Sequence, residues 1–151
     1  MSVLRKLGYR LYRLYLAVVR PITVGVRAVL VREGQILLVR HTYQDHWYLP
    51  GGGVKKGETL IEALGRELRE EVGACMENVE LLGMYSNFYE RKSDHVAVFV
   101  CTSFELGDTQ DGEIEATAFF APDDLPPGTS PGTKRRVAET LEKAGPHVTR
   151  W

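Results

Sequence analysis

The sequence predicts an α/β sandwich with a mixed β-sheet. The chain has 151 residues, of which 44% are hydrophobic and 26% are charged, and these values are usual for one globular domain. Runs of β-branched and aliphatic residues, typical of strands, alternate with two segments of helical periodicity. Strands and helices within one domain of this size pack as layers around a shared core.

Residues 1–20 are predicted to form a basic amphipathic helix. The segment contains five basic residues and no acidic residue. Arg5, Lys6, Arg10 and Arg13 lie on the side opposite the apolar residues. The apolar residues that recur at helical spacing are Leu4, Leu7, Leu11, Leu14, Tyr15 and Val18.

Three interpretations of this helix remain open. It can pack on the domain, rest on an anionic membrane surface, or serve as a targeting segment. Arg10 and Arg13 interrupt any signal-peptide core, so secretion is not expected. No apolar run approaches the roughly 18 residues that a membrane span requires.

The rest of the chain, residues 21–151, is predicted to be one domain. A helix should begin after Thr59, since Thr59 and Glu62 have the spacing of a capping box, and Gly73 should end it. A second helix is expected over residues 133–144. Strands are predicted over residues 22–31, 35–41, 79–89, 95–106 and 116–122, and residues 47–53 are expected to be a short extended piece that ends in a glycine cluster.

The first of these two helices carries three clustered acids. Glu67, Glu70 and Glu71 lie within four residues of each other, and like charges three or four positions apart on a helix repel. They flank the apolar stripe, at the border between core and solvent. Hard divalent cations such as Mg²⁺ take oxygen ligands of this kind. The spacing alone therefore leaves two interpretations open, a metal site and a solvated acidic face.

A glycine-rich loop precedes this helix. Gly52 and Gly57 have the spacing of a phosphate-binding P-loop, but Glu58 stands where that loop needs lysine. A P-loop is therefore rejected.

Together the loop and the helix resemble the Nudix box, G-x5-E-x7-R-E-U-x-E-E-x-G-U, where U is a bulky aliphatic residue. Leu68 fits the first U, and Ala74 is the one departure, at the last U. The fixed positions are matched by Gly52, Glu58, Arg66, Glu67, Glu70, Glu71 and Gly73. The resemblance implies a Nudix-type α/β/α sandwich over the domain, with the N-terminal helix as an addition.

The resemblance also implies a metal-dependent hydrolase that cleaves the pyrophosphate linkage of a nucleoside diphosphate linked to another group. Water would attack phosphorus with the help of Mg²⁺ or Mn²⁺. By resemblance, Glu67 would be a metal ligand and the general base, Glu70 and Glu71 would be further metal ligands, and the carbonyl of Gly52 would complete the set.

Other residues receive supporting roles from the same resemblance. Arg66 would orient a carboxylate of the box, and Glu58 would support the site from the loop. Glu113 lies on a segment where many family members carry an acid that faces the metal, so it is a candidate ligand or base. Glu115 competes with Glu113 for this role.

Substrate contacts are expected from strands near the box. Arg27 and Arg40 could pair with phosphates, since a guanidinium binds phosphate oxygens in a bidentate manner; the alternative for both is an arginine at a sheet edge or on the surface. Trp47 could stack on a base.

The expected partner is a small-molecule nucleotide. The net charge of −1 gives no reason to expect nucleic acid. Cys75 and Cys101 fit no metal spacing and suggest a reducing compartment. We expect a cytoplasmic monomer or homodimer, with the membrane surface as a partner if residues 1–20 touch lipid. The alternative function is a Nudix-fold sensor that binds a nucleotide without cleaving it.

Overall fold

A computed structural model describes residues 3–19, 21–89, 91–109 and 112–151. The predicted N-terminal helix includes residues 1, 2 and 20, which lie outside this part of the chain, as do the side chains of residues 3–7, 9 and 16. The described elements are α1 (Val3–Val19), β1 (Ile22–Arg32), β2 (Gln35–His41), β3 (Trp47–Tyr48), β4 (Gly51–Gly53), α2 (Leu60–Val72), β5 (Ala74–Tyr89), β6 (Lys92–Leu106), β7 (Ile114–Phe120), α3 (Pro131–Glu142) and β8 (His147–Arg150).

The strands form one mixed sheet, as the sequence predicts. Its main order is β3-β2-β1-β6-β5-β8, with β4 paired to β1 and β7 paired to β2. The pairs β1–β6 and β5–β8 are parallel, and the other pairs are antiparallel. The predicted α/β fold with a mixed sheet is therefore confirmed.

A hydrophobic core lies on each face of the sheet. On one face, α2 buries Leu64 and Leu68 in a cluster that includes Val26 of β1. On the other face, Val137 of α3 joins a cluster that includes Val98 of β6. The molecule thus has a helix layer, a sheet layer and a second helix layer.

Local sequence signals determine where α2 begins and ends. Thr59 accepts a hydrogen bond from the backbone N–H of Glu62, and the Glu62 side chain accepts one from the N–H of Thr59. Gly73 has a φ of 64°, a left-handed conformation that favours glycine. The predicted capping box and stop signal are both confirmed.

Two strands differ from the sequence prediction. β8 was not predicted, because four residues with a mostly exposed pattern carry little strand signal of their own. It forms by parallel pairing with β5, where Gly83 lies opposite His147. β5 itself begins at residue 74, five residues earlier than expected, because its mostly exposed first half pairs with β6 through several register shifts.

The C-terminal residues pack around an arginine in α3. The guanidinium of Arg136 is buried, 3.7 Å from the centre of the Tyr85 ring and 5.3 Å from that of Trp151. Glu139 accepts hydrogen bonds from Arg136 Nη2 at 2.8 Å and from the Tyr85 hydroxyl at 2.7 Å. Burial and the Glu139 carboxylate raise the pKa of Tyr85, so this phenol remains a neutral donor.

Helix α1 forms at the predicted place, but the described side chains of its apolar face are not packed on the domain. Leu11, Leu14 and Val18 are each more than half exposed. Within the described residues, no helix is long and apolar enough to cross a membrane.

Candidate active site

Arg66 stands at the centre of the box and binds several of its residues. Its Nε lies 2.6 Å from Glu58 Oε1 and its Nη2 lies 2.9 Å from Glu58 Oε2, so the pair is bidentate. Its Nη1 donates to Glu67 Oε1 at 2.6 Å and lies 3.4 Å from Glu70 Oε2. Nη2 also donates to the carbonyl of Gly53 at 3.0 Å. One arginine therefore joins the loop to the acidic helix.

The contacts between Glu58 and Arg66 keep both side chains charged. The Arg66 hydrogen bonds, followed by one from the backbone N–H of Lys55, lower the pKa of Glu58 from 4.5 to about 2. The Glu58 carboxylate in turn raises the pKa of Arg66. Glu58 and Arg66 are therefore both ionised throughout the neutral pH range.

Gly52 borders the carboxylate of Glu67. A Cβ added at Gly52 would lie 2.5 Å from Glu67 Cδ and Oε2 and 2.7 Å from Oε1. Such distances are closer than van der Waals contact, so any side chain at this position would displace the carboxylate. The absence of a side chain here leaves a cradle of backbone beside Glu67.

Glu71 is buried and holds the first residue of β4. Its Oε2 accepts a hydrogen bond from Gly51 N at 2.8 Å, while Arg27 Nη1 donates to the Gly51 carbonyl. The other carboxylate oxygen of Glu71, Oε1, lies 3.7 Å from Nε2 of the buried His41. Gly51 has a φ of 137°, and a Cβ there would lie 2.1 Å from Val26 O, so this position requires glycine.

Glu70 is the most exposed of the three helix acids. Its side chain is 51% exposed, compared with 15% for Glu67 and 7% for Glu71. Its backbone carbonyl accepts a hydrogen bond from Thr109 Oγ1 at 2.5 Å. The helix therefore presents one open, one half-buried and one buried carboxylate.

The donor chemistry of these acids fits a hard divalent cation, since carboxylate and backbone carbonyl oxygens are the ligands that Mg²⁺ takes. The missing side chain at Gly52 lets the Glu67 carboxylate lie directly against the backbone of β4. In the described ranges, however, no three His, Cys, Asp or Glu side chains are gathered into a metal-holding group. Glu67 is bound to Arg66 and Glu71 to Gly51 instead.

The expected substrate residues lie on strands. Arg40 of β2 is bonded to Glu115 of β7 at 3.1 Å, and its guanidinium carbon lies 5.2 Å from the centre of the Trp47 ring. Trp47 also packs edge-on against Phe120. Glu113 lies in the turn before β7, where its carbonyl accepts a hydrogen bond from Thr42 N.

Most of the sequence-predicted residues fall into two groups, while Arg27 and Glu71 meet at Gly51 and Glu113 lies in the turn before β7. Gly52, Glu58, Arg66, Glu67 and Glu70 meet where β4 and the loop after it face the second half of α2. A second group, Arg40, Trp47 and Glu115, meets on β2, β3 and β7, so Glu115, which the sequence offered only as a competitor of Glu113, is bonded to a predicted substrate residue.

Sequence reasoning gave no role to two residues that touch the acids. His41 lies beside Glu71, and Thr109 bonds to the backbone of Glu70. Neither has a diagnostic spacing to the box. Their positions depend on long-range strand and loop packing, which a local pattern does not contain.

This chain is similar to a known family and to known proteins over most of its length. A family model for the NUDIX domain matches residues 19–141. A MutT-like protein from Streptomyces ambofaciens is 32% identical over 127 residues, covering 83% of this chain and 81% of the relative. An ADP-ribose pyrophosphatase from Methanocaldococcus jannaschii is 33% identical over 118 residues, covering 76% of this chain and 65% of the relative.

A third relative is similar over a shorter stretch. An RNA pyrophosphohydrolase from Xanthomonas campestris is 51% identical over 60 residues, which cover 39% of this chain and 29% of that protein. This chain therefore spans less than a third of that relative.

A solved structure has the same fold. The crystal structure of a MutT NUDIX hydrolase from Burkholderia pseudomallei superposes with a TM-score of 0.72 and 29% identity, covering 79% of this chain and 98% of the other. The predicted resemblance is confirmed: the chain belongs to the Nudix family.

Proposed function

We propose that this enzyme hydrolyses the pyrophosphate linkage of a nucleoside diphosphate joined to another group, and that it depends on Mg²⁺ or Mn²⁺. The observation that carries the proposal is the placement of Glu67. Its carboxylate is held between the guanidinium of Arg66 and the backbone cradle of Gly52. A half-buried carboxylate fixed by a charged hydrogen bond is positioned rather than free to rotate.

A divalent cation bound here would neutralise phosphate charge and lower the pKa of a bound water. Glu67, Glu70 and Glu71 would hold it, together with the carbonyl of Gly52. Glu67 is the proposed general base, which takes the proton of the attacking water. Phosphoryl transfer requires mainly that the reacting groups be positioned and that the developing phosphate charge be stabilised. A set of fixed carboxylates that holds a cation would meet both requirements.

The remaining residues of the box act by positioning. Arg66 holds Glu67 through Nη1 while its other nitrogens are bound to Glu58 and to the carbonyl of Gly53. This fork keeps the loop and the helix at a fixed separation. Glu58 therefore supports the site through Arg66 and does not itself reach the reacting atoms.

The proposed substrate is a small nucleotide. The relatives are named a MutT-like protein, an RNA pyrophosphohydrolase and an ADP-ribose pyrophosphatase. The last two names both denote cleavage of a phosphoric anhydride. On the substrate side we assign Arg27, Arg40 and Trp47. Arg40 and Trp47 are stacked on each other, so they offer a cation and an aromatic edge at one place. Glu113 is kept as a further candidate base or ligand.

The free cysteines fit a cytoplasmic location, which is also proposed here. Cys75 is exposed, Cys101 is buried, and both are unbridged. Burial raises the pKa of the Cys101 thiol, so that thiol stays protonated and unreactive.

The test is hydrolysis of a panel of nucleoside triphosphates, dinucleoside polyphosphates, ADP-ribose and nucleotide sugars, with and without Mg²⁺. The variant is Glu67→Gln, and the matched control is Glu142→Gln at the exposed end of α3. Loss of a base that also binds metal should slow turnover by about 10³-fold or more, and each tenfold is about 1.4 kcal/mol of barrier.

Metal-dependent turnover of one substrate class, lost in Glu67→Gln and retained in Glu142→Gln, is the expected result. Tight nucleotide binding without turnover of any compound would overturn the proposal and favour a sensor. Turnover that survives chelation of all divalent cations would overturn the metal dependence.

A further inference from the structure

The apolar face of α1 is turned to solvent. On a helical projection, Leu11, Leu14, Tyr15 and Val18 fall within an arc of about 100°. Their exposed fractions are 59%, 63%, 55% and 77%. Isolated exposed apolar side chains are normal, whereas a contiguous exposed stripe indicates a surface that another partner covers.

The opposite face of α1 is strongly basic. Residues 1–20 contain five of the 19 basic residues of the chain and none of its 20 acidic residues. The remaining residues therefore carry 14 basic and 20 acidic side chains, a net charge of −6. Arg10 and Arg13 are exposed. The positive charge of the molecule is thus concentrated on the element that also exposes the apolar stripe.

The ends of β5 and β6 that lie beside α1 also carry exposed aromatic rings and a basic side chain. Phe88 and Tyr89, at the end of β5, are 57% and 46% exposed. The ammonium of Lys92, at the start of β6, lies 5.5 Å from the centre of the Tyr89 ring and 5.5 Å from that of Tyr12 in α1. The β5–β6 hairpin therefore adds exposed aromatic rings and a cation next to α1.

We propose that α1, with the end of the β5–β6 hairpin, binds the surface of a membrane that contains anionic lipid. The helix would lie in the plane of the interface, its apolar stripe in the boundary between headgroups and acyl chains and its arginines at the headgroup phosphates. An amphipathic helix of low net hydrophobicity, with a basic polar face, has the composition that such binding requires. Aromatic rings such as those of Tyr15 and Phe88 are favourable at the same depth.

The charge and the apolar stripe of α1 favour an anionic lipid surface over a second copy of the chain and over a polyanion. Pairing α1 with α1 of a second copy would bring together two basic segments that contain no acid to compensate them. A polyanion such as RNA would pair with the arginines but would leave the apolar stripe in water. An anionic lipid surface matches both faces of the helix at once, and its potential acts on each basic residue near it.

The test uses the full chain and vesicles of two compositions, phosphatidylcholine alone and phosphatidylcholine with about one third phosphatidylserine. Sedimentation with the vesicles gives the partition coefficient. We expect binding to the anionic vesicles that weakens as salt is raised, because salt screens the arginines. The double variant Leu11→Asp/Leu14→Asp should lower the partition coefficient by about 100-fold or more.

Two further variants separate charge from apolar contact. Arg10→Gln/Arg13→Gln should weaken binding by about 25-fold, on the basis of about fivefold for each basic residue near an anionic surface. Leu141→Asp is the matched control, since Leu141 on α3 is 61% exposed, much like Leu14. It should bind vesicles as the unchanged protein does.

Several outcomes would overturn the inference. These are no binding to anionic vesicles, equal binding to both vesicle compositions, or equal loss in the Leu141→Asp control. A dimer that dissociates in Leu11→Asp/Leu14→Asp, without vesicle binding, would assign the stripe to a second copy. Binding of a single-stranded polynucleotide but not of vesicles would assign the helix to nucleic acid. Hydrolysis of soluble nucleotides should not change in these variants, so the outcome is independent of the proposed function.

Discussion

The cradle beside Glu67 allows a sharp prediction for Gly52→Ala. The new methyl group would stand 2.5 Å from the Glu67 carboxylate, whereas ordinary van der Waals contact begins near 3.4 Å. The carboxylate must therefore move by about 1 Å. A displacement of about 1 Å at a reacting group costs about 10²-fold in rate, which is about 2.7 kcal/mol of barrier.

The effect on stability should be much smaller. Moving Glu67 disturbs its 2.6 Å contact with Arg66, a partly exposed pair whose loss costs about 1 kcal/mol or less. Replacing glycine by alanine lowers the entropy of the unfolded chain and offsets about 0.4 to 1 kcal/mol of that. The φ of Gly52 lies outside the left-handed region, so alanine adds no backbone strain.

The assay compares kcat and the unfolding midpoint of Gly52→Ala with those of Gly53→Ala. Gly53 is the next residue of β4, and a Cβ there would meet nothing within 4 Å. We expect kcat to fall about 100-fold in Gly52→Ala and to be unchanged in Gly53→Ala, with similar unfolding midpoints. In the double variant Gly52→Ala/Glu67→Gln, the two effects should not add, because both act on one carboxylate.

If folded Gly52→Ala keeps kcat within about threefold of the unchanged enzyme, the position of Glu67 does not limit catalysis and the reasoning fails. Equal losses in Gly52→Ala and Gly53→Ala would refute it as well, since the loop and not the carboxylate would then be the sensitive element.

Three further predictions concern the support of the site. Arg66→Lys should lower kcat by at least about tenfold and the free energy of unfolding by about 1 to 2 kcal/mol, because one ammonium cannot reproduce the fork on Glu58; full activity in steady-state assays would contradict this. Glu58→Gln should lose stability relative to the unchanged protein by a constant amount above pH 4.5. Since folding lowers the pKa of Glu58 to about 2, the contribution is present above 4.5 and is lost as pH falls toward 2, so urea titrations of the two proteins should converge over that window. Thr59→Ala should cost about 1 kcal/mol, as the loss of a helix cap does, and an unchanged urea midpoint would show that the cap observed at α2 contributes nothing.

The parts of the fold that sequence predicts best are the ones that neighbouring residues determine. The cap at Thr59, the stop at Gly73 and the apolar stripe of α2 are all local, and all appear in the structure. The parallel pairing of Ile22 with Ser93 joins residues that are 71 positions apart, so no local pattern contains it. For the same reason β8 was missed.

The same division applies to the candidate site. The spacing of the box identifies which residues carry charge, but it does not say what each carboxylate touches. Glu67 and Glu71 are one turn apart on the same helix, yet one binds Arg66 and the other the N–H of Gly51. That difference depends on where β4 lies, and β4 is positioned by its pairing with β1.

The packing of β4 also explains how three acids are tolerated on one helix. Different groups relieve their mutual repulsion. Glu67 is bound to the Arg66 guanidinium, Glu71 accepts a backbone N–H, and the exposed Glu70 also lies 3.4 Å from Arg66. A cation that bound here would have to replace existing hydrogen bonds of these carboxylates with metal–oxygen contacts. Gly51 of β4 is held on its N–H by Glu71 and on its carbonyl by Arg27. These two contacts fix the neighbouring backbone of Gly52 opposite Glu67.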